Sequence, residues 1–313
     1  MSQILPTNPA IGQAVSQALG GTGLGLSARA QYIAEISRTN PTAFVFLIDQ
    51  SGSMGNSLQF NGKAMTRAQA AAIVVNDTLM NMTMECIKAG EVRHYFDVAV
   101  IGYGQQPTAG FVWEGQLQGC QWVSSTKLDQ NVAFNLTKPV LTGRGELREL
   151  PISAWFSPIH AGHTPMKSAL QMATDLLREW IARHPGAYPP SVINITDGEA
   201  TDATHDKLLD AALQLRNLHT TDGKVLLFNC HISGAGDGSI AFPVEKQQLP
   251  DNHYAHLLFD MSSDLPVQYN RQIAEWRDED LQTYTAMMFN AEMKDLFKLV
   301  DIGTRTALSQ AAN

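Results

Sequence analysis

The chain has 313 residues and a formal net charge of −8, and 44% of its residues are hydrophobic while 17% are charged. This length allows one large domain or two small ones, and the composition excludes gross disorder. An acidic chain is a poor default binder of nucleic acid, so we expect no nucleic-acid partner.

The cysteines and the N-terminus indicate the compartment. Cys86, Cys120 and Cys230 are widely spaced, and no Cys-x-x-Cys pair occurs, so neither a zinc site nor a disulfide framework is indicated. The first residues lack the basic and apolar regions of a signal peptide, and no apolar run is long enough to span a membrane. We therefore expect a cytoplasmic protein without a membrane partner.

The N-terminal region precedes the first strong strand signal. Residues 1–25 are small, polar and glycine-rich, which predicts a flexible arm, and residues 27–38 predict a short helix. We expect these two segments to form an N-terminal region of residues 1–40. The main domain then covers residues 41–303, and a tail covers 304–313.

The first strand carries the first chemical motif. Phe44 to Ile48 form an unbroken apolar run, which is typical of a strand buried on both faces. The run ends in Asp49, and Ser51 and Ser53 follow in the pattern Asp-x-Ser-x-Ser. Ligands of open α/β sheets lie at this carboxyl edge. Carboxylate and hydroxyl oxygens suit Mg²⁺ or Mn²⁺ better than Zn²⁺.

The next elements extend the alternation of helices and strands. Apolar residues at spacings of three and four predict a helix from Ala64, and Tyr95–Tyr103 predict a second strand. Residues 104–150 are rich in glycine and glutamine and exceed the length of a single hairpin. A further long helix is predicted from Thr164-Pro165, because proline is common in the first turn of a helix.

The fourth strand, which is also buried, begins at Ser191 and ends in Asp197-Gly198. The pattern after it predicts a helix, a fifth strand, a candidate sixth strand and a last helix, at residues 205–218, 224–232, 256–259 and 291–299 respectively. Because strands alternate with helices throughout, the sequence predicts an α/β fold with a parallel, doubly wound sheet.

Two aromatic residues and two histidines precede Thr164. Trp155, Phe156, His160 and His163 lie close in sequence to the proposed metal position, and two interpretations are open. Trp155 and Phe156 belong to the core while the histidines are solvated, or all four form a rim that receives a docking partner.

Five oxygen-bearing residues combine into one pattern, namely Asp49, Ser51, Ser53, Thr164 and Asp197. This pattern resembles the metal-ion-dependent adhesion site of the von Willebrand factor A (VWA) family, and all five positions match. The resemblance covers about residues 40–300 and is strongest to intracellular bacterial proteins of the TerY type, associated with tellurite resistance. It implies a Rossmann-like, mostly parallel sheet with helices on both faces and one antiparallel edge strand. Residues 104–150 then hold this edge strand and an insertion.

The resemblance also implies a ligand arrangement. Ser51 and Ser53 bind Mg²⁺ directly, and Thr164 binds it directly or through water. Asp49 and Asp197 bind through water or exchange into the first coordination sphere, and Mn²⁺ or Ca²⁺ are the alternative ions. Because Mg²⁺ prefers six oxygen ligands, one position stays open for an Asp or Glu of a partner protein.

The leading functional hypothesis is a non-enzymatic, metal-dependent adaptor or regulator in a bacterial cytoplasm. Its partners would include a Ser/Thr kinase and a protein phosphatase in stress response or defence. One alternative is an accessory subunit of an AAA+ ATPase of the MoxR or chelatase type. A second is a metal-dependent enzyme, although the sequence offers no nucleophile or general base with motif support, and only His160 and His163 stand near the metal position.

Overall fold

The computed structural model describes residues 31–104, 108–233 and 238–308. Within them, the central sheet consists of β1 (Thr42–Asp49), β2 (Phe96–Tyr103), β3 (Gly110–Phe111), β4 (Val123–Ser124), β5 (Ser191–Thr196), β6 (Leu226–Ile232), β7 (Ile240–Ala241) and β8 (Met287–Ala291). The α-helices of these residues are α1 (Arg67–Glu85), α2 (Ser125–Gln130), α3 (Met166–Arg183), α4 (His205–Arg216), α5 (His253–Met261), α6 (Val267–Arg277) and α7 (Met293–Leu308).

The strand order of the sheet is β7-β8-β6-β5-β1-β2-β3, and β4 also pairs with β2. The five strands from β8 to β2 are parallel to one another, whereas β3, β4 and β7 pair antiparallel at the two ends. The predicted α/β class with a mostly parallel, doubly wound sheet is confirmed. It differs in one detail, since antiparallel segments lie at both edges rather than one.

The core lies on both faces of the sheet, and β1 explains why. All eight of its residues are buried, and successive side chains point to opposite faces. Phe44 and Phe46 pack with α1, α6 and α7 on one face, while Val45 and Leu47 pack with α3, α4 and α5 on the other. A strand covered on both sides has no polar face, which accounts for the unbroken apolar run in its sequence.

Several antiparallel hairpins are separate from the central sheet. The described residues contain four two-stranded antiparallel pairs: Ser57–Phe60 with Lys63–Thr66, Ile87–Lys88 with Glu91–Val92, Phe134–Leu141 with Leu147–Ala154, and His219–Thr220 with Gly223–Lys224. Segment 104–150 therefore contains the predicted edge pairing in β3 and β4, followed by α2 and part of the long hairpin. The first helix begins at Arg67 rather than the predicted Ala64, because residues 63–66 belong to a hairpin.

The prediction of a sixth strand at residues 256–259 is wrong, since these residues lie in α5. A short apolar run does not by itself distinguish a buried strand from a buried helix. Here the Asn252 side chain accepts the backbone N–H groups of Tyr254 and Ala255 and so starts a helix. The parallel strand that pairs with β6 on this side of the sheet is instead found later, at β8.

The predicted helix at residues 27–38 is wrong where it can be compared, because residues 31–38 contain no helix; residues 27–30 and the predicted arm lie outside the described ranges. The Asp222 carboxylate accepts the backbone N–H groups of Ile33 and Ala34, which fixes this segment in a non-helical path. At the other end, α7 continues through residue 303 to Leu308.

No helix in the described ranges is both long and apolar enough to cross a membrane.

Candidate functional site

The parallel register brings the ends of four strands to one edge of the sheet. Asp49 of β1 pairs with Tyr103 of β2, and Ile48 pairs with Ile195 of β5. Thr196 of β5 pairs in turn with His231 of β6. The residues that follow β1 and β5 therefore lie side by side at the carboxyl edge, where ligands of such sheets bind.

Asp49 is fully buried at the end of β1. Its Oδ1 accepts the backbone N–H of Ser51 at 2.8 Å, and its Oδ2 accepts the Thr196 hydroxyl at 2.8 Å. Burial raises the pKa of Asp49 to about 6, against the hydrogen bonds from Ser51 and Thr196, which lower it. Asp49 thus fixes the turn after β1 and joins it to β5.

The two serines and the second aspartate form a continuous hydrogen-bonded series. The Ser51 and Ser53 hydroxyl oxygens are 3.0 Å apart, and the Ser53 hydroxyl donates to Oδ1 of Asp197 at 2.6 Å. Residues 144 positions apart in the chain are therefore in direct contact, as the sequence pattern predicts. Four of the five predicted ligands, from Asp49 to Asp197, belong to one connected group.

Thr164 is placed beside this group by backbone contacts. The Ala161 N–H donates to the Gln50 carbonyl at 2.6 Å, and the Gly52 N–H donates to the Gly162 carbonyl at 3.2 Å. Thr164 itself is 6% exposed, and its backbone exchanges two hydrogen bonds with Thr201, each 2.9 Å long. Among the described residues, no hydrogen bond joins the Thr164 hydroxyl to the other four predicted ligands.

Asp202 stabilises the start of α3, directly after Thr164 and Pro165. Its two carboxylate oxygens accept the backbone N–H groups of Lys167 and Ser168 at 3.1 and 2.9 Å. An acidic side chain at a helix N-terminus satisfies unpaired donors and interacts favourably with the helix dipole. Asp202 therefore helps to hold the Thr164 segment against the edge of the sheet.

The exposures agree with the first of the two interpretations of the four residues before Thr164, in which Trp155 and Phe156 belong to the core and the histidines are solvated. Trp155 and Phe156 are 2% and 1% exposed, so they are core residues and cannot contact a partner at the surface. Trp155 is held by hydrogen bonds from its indole to the Leu128 carbonyl and from its backbone to Asn76. His160 and His163 are exposed, and both lie in the loop before Thr164.

Arg67 is a site residue that the sequence analysis missed. Its Nη1 donates to Oδ2 of Asp197 at 2.7 Å, so Arg67 and Ser53 contact different oxygens of the same carboxylate. The side chain of Asp197 is fully buried, and that of Arg67 is 17% exposed. The Thr66-x-x-Gln69 spacing is a capping-box signal that could have placed Arg67 at the first position of α1.

A cleft of about 790 Å³ opens beside Asp197. On its wall the His231 ring stacks on Phe289, with 4.5 Å between ring centroids. Burial, and next the charge of Arg67, lower the pKa of His231 to about 4, so His231 is neutral at pH 7. The Tyr254 hydroxyl donates to the Gly198 carbonyl, and both residues line the cleft.

The donor set fits a hard divalent cation. The described residues contain no group of three or more His, Cys, Asp or Glu side chains that could hold a metal. The proposed set differs from such a group, because it combines two carboxylates with serine hydroxyls, and these oxygen donors suit Mg²⁺ better than Zn²⁺. Neighbouring oxygens of an octahedral Mg²⁺ site lie about 2.9 Å apart, since its bonds are about 2.0–2.1 Å long. The Ser51–Ser53 oxygen distance of 3.0 Å matches this requirement.

The sequence matches no family model and no curated protein. Among solved structures, the chain is similar to a von Willebrand factor type A protein from Catenulispora acidiphila, with 15% identity, a TM-score of 0.36, and coverage of 67% of this chain and 43% of the other. The ArnB paralog VWA2 from Sulfolobus acidocaldarius gives 13% identity, a TM-score of 0.31, and coverage of 62% and 35%.

A third similar structure is the vWF domain of the type V pili tip protein Mfa5 from Porphyromonas gingivalis, with 12% identity, a TM-score of 0.40, and coverage of 86% of this chain and 95% of the other. The chain spans less than half of the first two structures. Identities and TM-scores this low carry no information about function, so the functional argument rests on the site itself.

Proposed function

We propose that the protein is a VWA-like module that binds Mg²⁺ and uses the bound ion to hold an acidic group of a partner protein. The proposed ligands are Asp49, Ser51, Ser53, Thr164 and Asp197. The observation that supports this proposal is the hydrogen-bonded series from Asp49 to Asp197 at the carboxyl edge of the sheet. Its members come from two separate strands, and turn formation alone requires no such convergence.

Each side chain has a distinct part in the proposed site. Ser51 and Ser53 present hydroxyl oxygens at the spacing of neighbouring ligands, while Asp49 orients the turn that carries them. At pH 7 Asp49 is ionised, because its raised pKa of about 6 still lies below neutrality. When bound, the ion supplies a positive charge and a coordination position that a carboxylate of the partner can take.

The proposed role is binding rather than catalysis. A hydrolytic site that works through a serine nucleophile needs that hydroxyl in contact with a general base. In the described residues, no hydrogen bond joins His160 or His163 to Ser51 or Ser53, although these histidines are the nearest candidates by sequence. A metal-dependent enzyme remains the alternative that incubation with phosphoester, peptide and nucleotide substrates tests.

The cellular context is part of the same proposal. By the resemblance to VWA proteins of the TerY type, the partner would be a Ser/Thr kinase or a protein phosphatase. In the alternative hypothesis it would be an AAA+ ATPase of the MoxR or chelatase type. A cytoplasmic location and a role in stress response or defence belong to this proposal too. Gene neighbourhood separates the kinase–phosphatase context from the ATPase context.

Partner capture from the native host tests the function. We expect a protein to bind in Mg²⁺ and to be released by EDTA, and Thr164→Ala to abolish capture while the circular dichroism spectrum stays unchanged. Ser124→Ala is a matched control, because its hydroxyl caps α2 outside the site. Replacing the acidic contact residue of the partner by its amide should weaken binding about ten- to a hundred-fold, the loss expected for a charge-assisted contact. Capture that survives EDTA unchanged would contradict the proposal.

A further inference from the structure

A permanent positive charge already contacts the proposed metal ligand Asp197. The Asp197 carboxylate divides its two oxygens, one accepting the Ser53 hydroxyl at 2.6 Å and the other the Arg67 guanidinium at 2.7 Å. The Asp197 side chain is fully buried, so its negative charge is not solvated by bulk water. Because a guanidinium stays charged in proteins, Arg67 is the counter-ion that balances this carboxylate.

Arg67 is held at this position by the start of α1. The Thr66 hydroxyl accepts the Gln69 N–H at 3.1 Å, and the Gln69 side chain accepts the Thr66 N–H at 2.8 Å. The backbone N–H of Arg67 donates to the Asn56 carbonyl at 3.0 Å, which ties the helix to the loop after β1. The contact with Asp197 therefore arises from a fixed backbone, not from a free surface side chain.

The Arg67 guanidinium is incompletely satisfied where it lies. Its Nε is buried and has no hydrogen-bond partner among the described residues. A buried donor without an acceptor is costly, so the present arrangement does not use the full bonding capacity of Arg67. The contact with Asp197 is thus compatible with replacement by another arrangement in which the carboxylate serves a different cation.

We propose that Arg67 is an internal competitor of the metal for Asp197, which lowers the metal affinity of the site and stabilises the fold when no metal is bound. This inference rests on the proposed metal-binding function. A divalent ion that shares Asp197 meets the repulsion of the nearby guanidinium, and the carboxylate cannot serve both cations equally well. Arg67 thus sets the metal concentration at which the site becomes competent to dock a partner.

Two consequences of opposite sign distinguish competition from a purely structural ion pair. Removal of the Arg67 charge should destabilise the protein in EDTA, since a buried carboxylate loses its counter-ion. The same change should tighten metal binding, since the competing charge is gone. A structural pair predicts the first effect without the second.

The experiment compares Arg67→Gln, Arg67→Lys and the control Lys138→Gln. The control breaks another ion pair with a largely buried carboxylate, because Lys138 Nζ lies 2.7 Å from Asp77 Oδ2 away from the site. Mg²⁺ affinity is measured by isothermal titration calorimetry, and the melting temperature is measured in EDTA and in saturating Mg²⁺.

We expect Arg67→Gln to bind Mg²⁺ about ten- to a hundred-fold more tightly than the unmodified protein. This range corresponds to the free energy of one charge-assisted hydrogen bond, the one that the Arg67 guanidinium makes to Asp197 and that glutamine does not replace. Its melting temperature should fall in EDTA and recover in Mg²⁺. Arg67→Lys should show a smaller gain in affinity, because a lysine keeps the charge without the fixed guanidinium geometry. Lys138→Gln should melt lower in both buffers and bind Mg²⁺ as the unmodified protein does.

The possible results distinguish competition by Arg67 from the proposed metal site on which it depends. Equal Mg²⁺ affinities for the unmodified protein and both Arg67 variants would overturn the competition while leaving the metal site intact. Absence of Mg²⁺ binding in all four proteins would overturn both. If Arg67→Gln folds only in Mg²⁺, the inference is supported; if it folds in neither buffer, Arg67→Lys decides, and an unchanged affinity there overturns it.

Discussion

Asp49 and Asp197 end or follow two neighbouring strands of the same sheet, yet their partners differ in charge. Asp49 is held by neutral donors, the Ser51 N–H and the Thr196 hydroxyl, and burial raises its pKa to about 6. Asp197 faces a guanidinium at 2.7 Å. Two motif positions with the same residue type therefore have different roles: Asp49 fixes the turn after β1, while Asp197 balances the charge of Arg67 and, in the proposed site, is the carboxylate for which the metal would compete.

Loss of the charged partner should give the largest effect. Asp197→Ala leaves the guanidinium of Arg67 without its carboxylate, and breaking a buried ion pair by removing one member costs about 3 kcal/mol. Urea denaturation in EDTA measures this loss in the free energy of unfolding. The double variant Asp197→Ala with Arg67→Gln should lose less than the sum of the two single changes, because the charges are in contact. Strict additivity would show that the pair contributes no coupling.

For Asp49, the expected effect is a dependence of the free energy of unfolding on pH. Its folded pKa of about 6 lies above the ordinary value of 3.8, so the folded state holds this proton more tightly than the unfolded state. Without metal, stability should therefore fall as pH rises from about 4 to about 6, by about 2–3 kcal/mol in total.

Asp49→Asn should remove this contribution, because asparagine keeps an acceptor for the Ser51 N–H and offers the Thr196 hydroxyl a donor. The measured quantity is the difference in unfolding free energy between the two proteins from pH 4 to pH 7.5 in EDTA. A difference that stays constant over this range would show that Asp49 titrates at its ordinary pKa.

The two hydroxyls between the aspartates should matter for the metal and little for the fold. Ser51→Ala with Ser53→Ala removes two proposed ligands but no buried apolar contact, so the melting temperature in EDTA should change by a few degrees at most. Mg²⁺ affinity should fall at least about tenfold. Global unfolding of the unmodified protein or of the double variant on EDTA treatment would indicate a structural metal site instead of a docking site.

The smallest expected effects concern the loop before Thr164. His160→Ala and His163→Ala change exposed side chains, and each should alter the unfolding free energy by less than about 0.5 kcal/mol. Both variants should still bind Mg²⁺. Any loss of partner affinity then reports a direct contact, and unchanged affinity in both variants would remove the histidines from the docking surface.

The sequence was sufficient to place Asp49, Ser51, Ser53 and Asp197 at the carboxyl edge, because parallel strands in a doubly wound sheet end at one edge. Their grouping into one site was implied only by the resemblance to the VWA pattern, since it also requires β1 and β5 to be neighbours. It was not sufficient to predict Arg67, whose position depends on a hairpin at residues 57–66 that returns the chain to this edge.

Burial was the second feature that local sequence could not settle. Trp155 and Phe156 follow the long hairpin, and their burial depends on contacts with Asn76 of α1 and Leu128 of α2, both distant in sequence. Similarly, the apolar run at residues 256–259 suits either a strand or a helix, and the Asn252 cap decides between them.

Direct observation of the ion tests the central claim that hydroxyl and carboxylate groups at the carboxyl edge form a metal site. Mn²⁺ is a paramagnetic substitute for Mg²⁺, and a titration followed by electron paramagnetic resonance counts the ions bound. We predict one Mn²⁺ per chain, displaced by Mg²⁺ but not by K⁺, and no comparable binding by Ser51→Ala with Ser53→Ala. Failure of the unmodified protein to bind Mn²⁺, or equal binding by the double variant, would contradict a metal site at this edge.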